Sequence, residues 1–379
     1  MDTLDAQRDV DAARMRDRLK CYVDLETPSG HADALDALLD LIQDRYAGLG
    51  AAVERHARDT GAHLVARFPG SDGGHDREPV LCLGHHDTVW PTGTLTGAVP
   101  WVEQDGFIRG PGVYDMKGGL VVLETALELL AERGLPHRPI TAIVVADEEV
   151  GSASARDLVA EHCAGAVAAL GFEPPHPDGA VKTARWGSTR VRIDVTGREA
   201  HAALAPEDGT SAIEELVDQV LAVRRLAEQH PDVLCNVGTI GGGGRTNVVA
   251  GRAWCEIGLR FTDTGTERAV LAALDGLTAH RSGAAVTTEV LTSRPVWPEP
   301  GADRALTGVL AEAGEHAGQR ATGRPASGAA DTNLTGSLGV PSLDGLGPVG
   351  RGAHAPDERI VAASLPERAV LTAALLSRL

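Results

Sequence analysis

The stretch that most constrains the fold runs from Pro79 to Trp90, with the sequence Pro-Val-Leu-Cys-Leu-Gly-His-His-Asp-Thr-Val-Trp. Its apolar first half lies between a proline and a glycine, which predicts a short strand buried on both faces, as in a parallel sheet. Where that strand should end, the chain changes to two histidines and Asp87. Because ligands collect at the carboxyl ends of strands in open α/β sheets, we expect chemistry at this point.

Two further apolar runs also end in acidic residues. The run Ile140–Ala146 is followed by Asp147-Glu148-Glu149, and the run Ala166–Gly171 is followed by Phe172 and Glu173. Leucines at three- and four-residue spacing predict an amphipathic helix over Gly118–Arg133. Strands that alternate with helices predict an α/β domain with a mixed, mostly parallel sheet flanked by helices.

The pattern changes near residue 188. Val191, Ile193 and Val195 alternate with polar residues, which is the period of a sheet with one face in water. The predicted order of elements over residues 188–296 is β-α-β-β-α-β, an α+β ferredoxin-like arrangement. The α/β pattern then resumes. We therefore predict a discontinuous catalytic domain, residues 1–187 and 297–379, around an inserted domain of residues 188–296.

Composition excludes several classes of protein. The 35 Lys and Arg residues against 53 Asp and Glu residues give a net charge of −18, which disfavours binding to nucleic acid or anionic lipid. No apolar run approaches the length of a membrane span, and the N-terminus lacks the blocks of a signal peptide. The five cysteines are odd in number and scattered, which fits reduced thiols and predicts a cytoplasmic protein.

Several less regular segments are predicted as loops. We expect a surface loop over residues 71–76 and a long polar loop through Trp101 and Ile108. The glycine run over residues 241–244 lacks the Lys-Ser/Thr of a phosphate-binding loop and is predicted to be a turn. The chain has no Gly-x-Ser-x-Gly elbow, so a serine hydrolase is not expected.

The acids and imidazoles at strand ends or beside glycines form a set of candidate metal ligands and catalytic groups. They are His85, Asp87, Asp115, Glu148, Glu149, Glu173 and His354. Nitrogen and carboxylate ligands suit Zn²⁺, Co²⁺ or Mn²⁺. The number of candidates indicates two metals that share a bridging carboxylate and activate a water. Of the adjacent Glu148 and Glu149, one can bind metal while the other serves as general base.

Four motifs carry a resemblance to a known family. They are Gly84-His85-His86-Asp87-Thr88-Val89, Gly110-Pro111-Gly112 with Asp115-Met116-Lys117-Gly118-Gly119, Asp147-Glu148-Glu149-x-Gly151-Ser152, and Gly347-Pro348-Val349-Gly350 with Ala353-His354-Ala355-Pro356-Asp357-Glu358. In this order they resemble the M20 metallopeptidases, most closely the glutamate carboxypeptidase (carboxypeptidase G2-like) branch. The resemblance covers the chain from about residue 80 to its end.

The resemblance implies roles for the candidate residues. One metal would be held by Asp115, Glu149 and His354, and the other by His85, Asp115 and Glu173. Asp87 would orient His85, and Glu148 would be the general base. The family also usually has a cis peptide bond after its bridging aspartate, here between Asp115 and Met116.

The inserted domain resembles the lid and dimerisation domain of the family, which implies a homodimer. The segment Gly197-Arg198-Glu199-Ala200-His201-Ala202 would bring His201 to the active site, often that of the partner subunit, to stabilise the oxyanion. Asn247 and Arg260 match positions that bind the substrate carboxylate. Two departures from the family pattern, Ala203 and Ala330, are expected near the substrate pocket and leave the specificity open.

Three functions remain open at this point. The first is a two-metal exopeptidase that releases a C-terminal amino acid such as glutamate from a small peptide. The second is a deacylase of the same fold that acts on an N-acyl amino acid. The third is a metal-binding protein without catalysis, although the presence of Glu148 argues against it.

Overall fold

The computed structural model describes residues 4–71, 77–299 and 303–379. They form two compact units. Unit 1 comprises the described residues of Met1–Ala184, Glu299–Ala326 and Ala330–Leu379, and unit 2 comprises Arg185–Pro298 with Ser327–Ala329. Of the surface loop predicted over residues 71–76, only Ser71 lies within the described residues.

The strands, in chain order, are β1 (Ala52–His56), β2 (His63–Phe68), β3 (Val80–His85), β4 (Val102–Gln104), β5 (Phe107–Arg109), β6 (Ile140–Val145), β7 (Ala168–Gly171), β8 (Val181–Arg185), β9 (Gly187–Thr196), β10 (Leu234–Gly242), β11 (Arg252–Phe261), β12 (Ala285–Arg294), β13 (Gly323–Ala326), β14 (Ser342–Leu343), β15 (Gly350–Arg351) and β16 (Arg359–Val361). The helices are α1 (Ala6–Asp9), α2 (Ala12–Asp24), α3 (Ala32–Gly48), α4 (Gly118–Arg133), α5 (Arg156–Cys163), α6 (Ala212–Glu228), α7 (Thr264–Asp275), α8 (Asp303–His316), α9 (Thr332–Ser337) and α10 (Ser364–Leu376).

Unit 1 is organised around a mixed sheet with the strand order β1-β2-β6-β3-β7-β14. β6, β3, β7 and β14 run parallel to one another, whereas β1 and β2 pair antiparallel with their neighbours. Every residue of β3 and β6 is buried. Strands buried on both faces require cover on both sides of the sheet, which explains their continuous apolar sequences.

Helices supply that cover, and alternate residues of the strands face different layers. Cys82 and Ala142 pack in a core that includes residues of α3, α4 and α10. Leu81 and Ile143 pack in a second core with residues of α5. The predicted α/β class, with helices on both faces of a mostly parallel sheet, is confirmed. None of the helices within the described ranges has both the length and the apolar character needed to cross a bilayer.

The long loop predicted through Trp101 and Ile108 is wrong in one respect, because it contains the hairpin β4–β5. The two strands are joined by Asp105 and Gly106, both with positive φ, which is the dipeptide that favours a tight hairpin turn. Each strand has only three residues, so the alternation that identifies a strand is absent from the sequence. β5 pairs with β16 near the end of the chain.

Unit 2 contains an antiparallel sheet with the strand order β10-β11-β9-β12, and α6 and α7 pack with it. The order β9-α6-β10-β11-α7-β12 is the predicted ferredoxin-like arrangement. Val191, Ile193 and Val195 are buried in the core of this unit, whereas Arg192 is half-buried on the other face. The second face of the sheet is therefore polar, as its alternating sequence indicates.

One close approach in unit 1 positions the end of β7. A Cβ atom at Gly119, in the first turn of α4, would lie 2.0 Å from the backbone oxygen of Phe172. No side chain fits in that space. The contact fixes the backbone immediately before Glu173, one of the predicted metal ligands.

We expect Gly119→Ala to destabilise the protein by roughly 1–3 kcal/mol, because the added methyl group must push the Phe172 backbone away. Gly48→Ala is the matched control, since it also adds a methyl group to a helix but meets no atom within 4 Å. The control should be neutral or slightly stabilising. The free energy of unfolding in urea measures both, and equal effects of the two changes would contradict this account.

Candidate active site

Three strands of unit 1 deliver candidate side chains to one edge of the sheet. β3 ends at His85, β6 leads into a 3₁₀ turn over Glu148–Val150, and Glu173 lies two residues beyond β7. β3 lies between β6 and β7 and pairs in parallel with both, so that His85 is opposite Val145. The carboxyl ends of the three strands therefore meet.

Asp115 reaches the same edge from a separate turn. It lies in a π-type turn (Val113–Lys117) that leads into α4, and its peptide bond to Met116 is cis, as the resemblance implied. The Asp115 Oδ1 atom is 3.4 Å from His85 Nε2, and the Oδ2 atom is 3.3 Å from His354 Nε2. One carboxylate thus lies between two histidines that are far apart in sequence.

These side chains form two groups that share Asp115. The first contains His85, Asp115 and Glu173, and the second contains Asp115, Glu149 and His354; within each group the ligand atoms lie within 4.8 Å of one another. His85 Nε2 is 3.5 Å from Glu173 Oε1, and His354 Nε2 is 3.0 Å from Glu149 Oε2. The structure brings these five residues together in the two sets that the resemblance implied.

The surroundings of these atoms suit divalent cations. His85 Nε2 and Glu149 Oε1 are buried, and neither has a hydrogen-bond partner among the residues that the structure describes. A buried polar atom without a partner is costly unless something binds it. Imidazole nitrogens with carboxylate oxygens are a donor set that Zn²⁺, Co²⁺ and Mn²⁺ accept.

The charges of the two groups are strongly coupled. Interaction with the carboxylates of Asp115 and Glu149 raises the pKa of His354 to about 10. Burial lowers the pKa of His85, but the carboxylates of Asp115 and Asp87 outweigh it and raise that pKa well above its usual value. Burial and the nearby Asp115 carboxylate raise the pKa of Glu173. Metal ligands must be deprotonated, so a cation that binds here displaces protons.

Asp87 anchors more than the imidazole of His85. Its Oδ1 lies 3.3 Å from His85 Nδ1, which also lies 3.0 Å from the backbone oxygen of Asp87. In addition, its two carboxylate oxygens accept hydrogen bonds from the backbone N–H groups of Glu148 at 3.1 Å and Glu149 at 3.2 Å, and Oδ2 accepts one from Ser29 Oγ at 2.6 Å. Asp87 therefore ties the end of β3 to the turn that carries both glutamates.

A second set of hydrogen bonds holds the same turn from its other side. Ser154 donates from both its backbone N–H and its Oγ to Asp147 Oδ2, each at 2.8 Å. His63 Nδ1 accepts from the backbone N–H of Ala146, and its Nε2 lies 2.9 Å from Ser154 Oγ. Glu148 is buried beside these groups, and its charge contributes to the raised pKa of both His85 and Glu173.

Glu358 is a contributor that sequence reasoning missed. It is fully buried, and its carboxylate accepts hydrogen bonds from Trp90 Nε1 at 2.6 Å and from the backbone N–H groups of Gly112 at 3.0 Å, Tyr114 at 2.9 Å and Asp115 at 3.2 Å. Burial raises its pKa to about 7, against the effect of these donors. Its side chain fixes the loop that leads to Asp115. The signal in the sequence is its place at the end of the fourth motif, four residues after His354, but no role follows from that place alone.

In unit 2, the structure brings His201 and Asn247 together. His201 forms a β-bridge with Val248, and the backbone N–H of Ala202 donates to the backbone oxygen of Asn247 at 3.0 Å. The backbone N–H groups of Ala203 and Leu204 both donate to His201 Nδ1 at 3.2 Å. A neutral His201 must then carry its proton on Nε2, because Nδ1 acts as an acceptor.

Arg260 lies on the polar face of unit 2, beside a second arginine that sequence reasoning missed. Arg260 and Arg294 are both register partners of Ser188, on the two strands that flank β9. Arg260 Nη1 donates to Ser188 Oγ. Burial and the charge of Arg294 lower the pKa of Arg260. A β-bulge in β12 between Val290 and Thr292 shifts its register, so simple alternation does not reveal this pairing.

The predicted substrate-binding residues of unit 2 do not form one cluster. The loop with His201 and Asn247 adjoins the Arg252 end of β11, where Gly197 bonds to Gly251. Arg260 lies eight residues further along β11, about 26 Å at 3.3 Å per residue. Arg260 and the loop with His201 therefore lie near opposite ends of β11.

The two departures from the family pattern differ in their positions. Ala203 lies next to His201 and is exposed. Ala330 is buried and, with Asp331, lines a cavity of about 10 Å³ beside His85 and Glu173. Its backbone N–H donates to Asn333 Oδ1 at 2.8 Å. Ala330 therefore packs behind the candidate ligands.

Comparison with known proteins agrees with this geometry. The family model described as Peptidase family M20/M25/M40 matches residues 81–378. Carboxypeptidase G2 from Pseudomonas sp. (strain RS-16) is 28% identical over 364 residues, which cover 94% of this chain and 87% of that protein. The succinyl-diaminopimelate desuccinylase of Ectopseudomonas mendocina is 29% identical over 357 residues, which cover 86% of this chain and 88% of that protein.

Solved structures share the fold. A tripeptidase from Staphylococcus aureus superposes with a TM-score of 0.76 at 20% identity, over 97% of this chain and 98% of that one. At this identity the likeness supports the architecture alone. The family model, in contrast, spans most of the sequence and includes all of the candidate ligands. The chain belongs to the peptidase family M20/M25/M40.

Proposed function

We propose that this member of the M20 hydrolases uses two divalent metal ions to cleave an amide bond next to a free carboxylate, and that it releases an amino acid such as glutamate. The observation that carries the proposal is the Asp115 carboxylate, whose two oxygens face His85 and His354. A carboxylate that serves two neighbouring groups is the bridge that a two-metal hydrolase requires.

The ligands proposed for the metals are the two groups that share Asp115. Zn²⁺ is the first candidate, and Co²⁺ or Mn²⁺ also suits the ligands. When bound, such ions polarise the scissile carbonyl and lower the pKa of water. His85 is held for this task through its Nδ1 by the carboxylate and backbone oxygen of Asp87. Such partners fix the tautomer and orientation of a ligand histidine.

Glu148 is the proposed general base. It belongs to neither ligand group, yet it is buried beside them in a turn held by Asp87. In the reaction its carboxylate would take a proton from water as the water oxygen attacks the amide carbon. The carbon–nitrogen bond then breaks, and Glu148 returns the proton to the departing amine.

Arg260 and Arg294 are proposed to bind the carboxylate of the substrate. Two guanidinium groups lie on either side of Ser188, and burial, together with repulsion by the charge of Arg294, lowers the pKa of Arg260. An anion between them would relieve that repulsion. The planar guanidinium group also binds a carboxylate in bidentate fashion. This arrangement favours substrates with a free carboxylate over neutral amides.

His201 is proposed to donate a hydrogen bond to the oxyanion. Its Nδ1 accepts two backbone N–H groups, so its Nε2–H is the donor and is available in an exposed position. A donor that is fixed before the reaction stabilises developing charge at little cost. Asn247, in the adjacent loop, is proposed to support the same substrate.

The separation of Arg260 from His201 supports a homodimer through unit 2. If both residues act, we infer that they come from different copies of the chain, because the loop with His201 adjoins the Arg252 end of β11, and Arg260 lies eight residues further along that strand. A two-fold dimer would give each active site the Arg260 of one copy and the His201 of the other.

A second candidate is an N-acyl-amino-acid deacylase of the same fold. The observation in its favour is the similarity to a succinyl-diaminopimelate desuccinylase, which has about the same sequence identity as carboxypeptidase G2 over a somewhat smaller share of this chain. Both functions need the same metals, base and carboxylate site. Membership of a family of hydrolytic enzymes argues against a non-catalytic metal-binding protein.

The substrate test compares N-acetyl-glutamate with the analogue whose α-carboxylate is a carboxamide. The carboxamide analogue has no negative charge for Arg260 to bind. Its kcat/KM should therefore be lower by roughly tenfold to a hundredfold, which is the effect of a lost charge-assisted hydrogen bond. Arg260→Lys should reduce this discrimination, whereas Arg252→Lys, on the same strand, should not. Release of free amino acid measures the rate. Equal hydrolysis of the two compounds would remove the basis for the carboxylate site.

Glu148→Gln should keep its bound metal but lose activity by roughly 10²-fold to 10⁴-fold or more, because the glutamine side chain cannot accept the proton of water. Metal content by atomic spectroscopy and initial rates measure the two effects. Glu149→Gln should lose metal as well as activity. Glu161→Gln, an exposed change on α5, is the control and should alter neither. Full activity in metal-loaded Glu148→Gln would rule out the assigned base.

Mixing two inactive variants tests whether His201 acts across a dimer. Glu148→Gln and His201→Ala should each be nearly inactive. In mixed dimers, one of the two sites combines an intact Glu148 with an intact His201 from the other copy. Random exchange should then restore roughly a quarter of the wild-type rate, since half the dimers carry one good site. No recovery, with exchange verified by native mass spectrometry, would show that His201 acts within its own chain.

A further inference from the structure

One peptide group at the end of β6 is held by histidines from the strands on either side. β6 lies between β2 and β3 in the sheet. The carbonyl oxygen of Val145 accepts hydrogen bonds from the backbone N–H of His86 at 3.0 Å and from His86 Nδ1 at 2.8 Å. The N–H of the same peptide group, that of Ala146, donates to His63 Nδ1 at 3.1 Å. Both polar atoms of the peptide that leads from β6 toward Glu148 are therefore fixed.

The second ring nitrogen of His63 contacts the segment on the other side of the turn. His63 Nε2 lies 2.9 Å from Ser154 Oγ, and Ser154 donates from its Oγ and its backbone N–H to Asp147 Oδ2, each at 2.8 Å. Because the hydroxyl proton of Ser154 is used on Asp147, this hydroxyl can only accept from His63. Asp147 directly precedes Glu148 in the chain. The imidazole thus holds the turn of the general base through both of its nitrogens.

The two contacts of His63 select the same protonation state. Acceptance at Nδ1 requires a nitrogen without a proton, and donation to Ser154 requires a proton on Nε2, so the neutral Nε2–H tautomer satisfies both. His63 is fully buried, and burial lowers its pKa, although the carboxylate of Asp147 acts in the opposite direction. The neutral form is therefore favoured. A buried ring with one tautomer can hold a backbone segment in one position.

We propose that His63 is a positioning residue for the general base of this enzyme. By fixing the peptide at the end of β6 and the side chain of Asp147, it holds the carboxylate of Glu148 in the orientation that accepts the proton of water. The inference rests on the proposed role of Glu148 and adds a residue that lies outside the four motifs of the sequence.

The turn has a second anchor that would remain without His63. Asp87 accepts the backbone N–H groups of Glu148 and Glu149. Removal of the His63 ring should therefore leave the ligand Glu149 able to bind metal and disturb the orientation of Glu148. Misplacement of a catalytic group by about 1 Å can lower a rate by about a hundredfold. We expect an effect on kcat, with little change in KM or in bound metal.

The test uses metal-loaded enzyme with N-acetyl-glutamate as the probe. His63→Leu should lower kcat by roughly tenfold to a hundredfold, with KM changed by less than about twofold and the metal content unchanged. His63→Asn places an amide oxygen near the position of Nδ1, where it can accept the Ala146 N–H, and should have a kcat at least about fivefold above that of His63→Leu. His56→Leu is the matched control and should leave kcat unchanged, because His56 lies opposite His63 on β1 with its Nε2 3.4 Å from Glu54.

A double-mutant cycle shows whether the effect passes through the base. Without the Glu148 carboxylate there is no base to position, so His63→Leu should lower the residual rate of Glu148→Gln by less than about twofold. A change that acts through folding or through the metal ligands would lower the rate by the same factor in both backgrounds. His63→Gln enters the same cycle as a second variant, because it keeps a polar side chain but places no acceptor at the Nδ1 position.

The results distinguish failure of the inference from failure of the proposed function. If Glu148→Gln is impaired but the His63 variants keep the wild-type kcat, or lower the rate equally with and without Glu148, the role of His63 is wrong and the proposed function stands. Equal kcat values for His63→Leu and His63→Asn would also overturn the inference. Full activity of metal-loaded Glu148→Gln, or no hydrolysis of N-acetyl-glutamate by the wild type, would remove the proposed function together with the inference.

Discussion

The arrangement on which the rest of the structure depends is the crowding of buried carboxylates around two histidines at the edge of the unit 1 sheet. Glu173 and Asp115 belong to one ligand group, and their mutual repulsion adds to the effect of burial in raising the pKa of Glu173. In the second group, the carboxylates of Asp115 and Glu149 raise the pKa of His354 to about 10, so that a protonated His354 offsets part of the negative charge. Divalent ions would neutralise the carboxylates in place of the protonated histidines, and the deprotonated imidazoles could then bind the ions. Metal binding, protonation and the stability of this edge are therefore linked equilibria.

Two acids outside the ligand groups give this edge its rigidity. Asp87 accepts the backbone N–H groups of Glu148 and Glu149, and Glu358 accepts those of Gly112, Tyr114 and Asp115. A carboxylate has several acceptor positions, so one side chain can satisfy a whole turn of backbone donors. Loops that would otherwise sample many conformations are thereby held in one. The acids at this edge thus divide into candidate cation ligands and acids that bind backbone N–H groups, which accounts for the number of carboxylates in so small a volume.

Local sequence patterns were sufficient to predict the fold class. Parallel strands buried on both faces are continuous apolar runs, whereas antiparallel strands with one face in water alternate apolar and polar residues. The sequence also predicted that His85, Glu149 and Glu173 converge, since parallel strands place their carboxyl ends at one edge of the sheet. Sequence reasoning failed where the structure depends on contacts between distant segments. Glu358 closes the fourth motif, but its buried partners depend on β16 pairing with β5. Arg294 has no local feature that distinguishes it from a solvated surface residue, and its register is set by a bulge in β12. The distance between Arg260 and His201 likewise becomes visible only when the strand register is known.

The path of the chain decides when a working site can first exist during biosynthesis. His354 and Glu358 are translated long after His85 and Asp115, because all of unit 2 is made in between. A ribosome that stalls after unit 2 leaves the strands of unit 1 with one ligand group and without the side chain that secures the Asp115 loop. Such a nascent chain lacks His354 of the second ligand group and the strand β16 that pairs with β5 of the hairpin. At roughly 5–20 residues per second, about 10 to 50 seconds pass between the synthesis of Asp115 and that of His354. An unfinished polypeptide therefore lacks part of the candidate site until its synthesis is nearly complete.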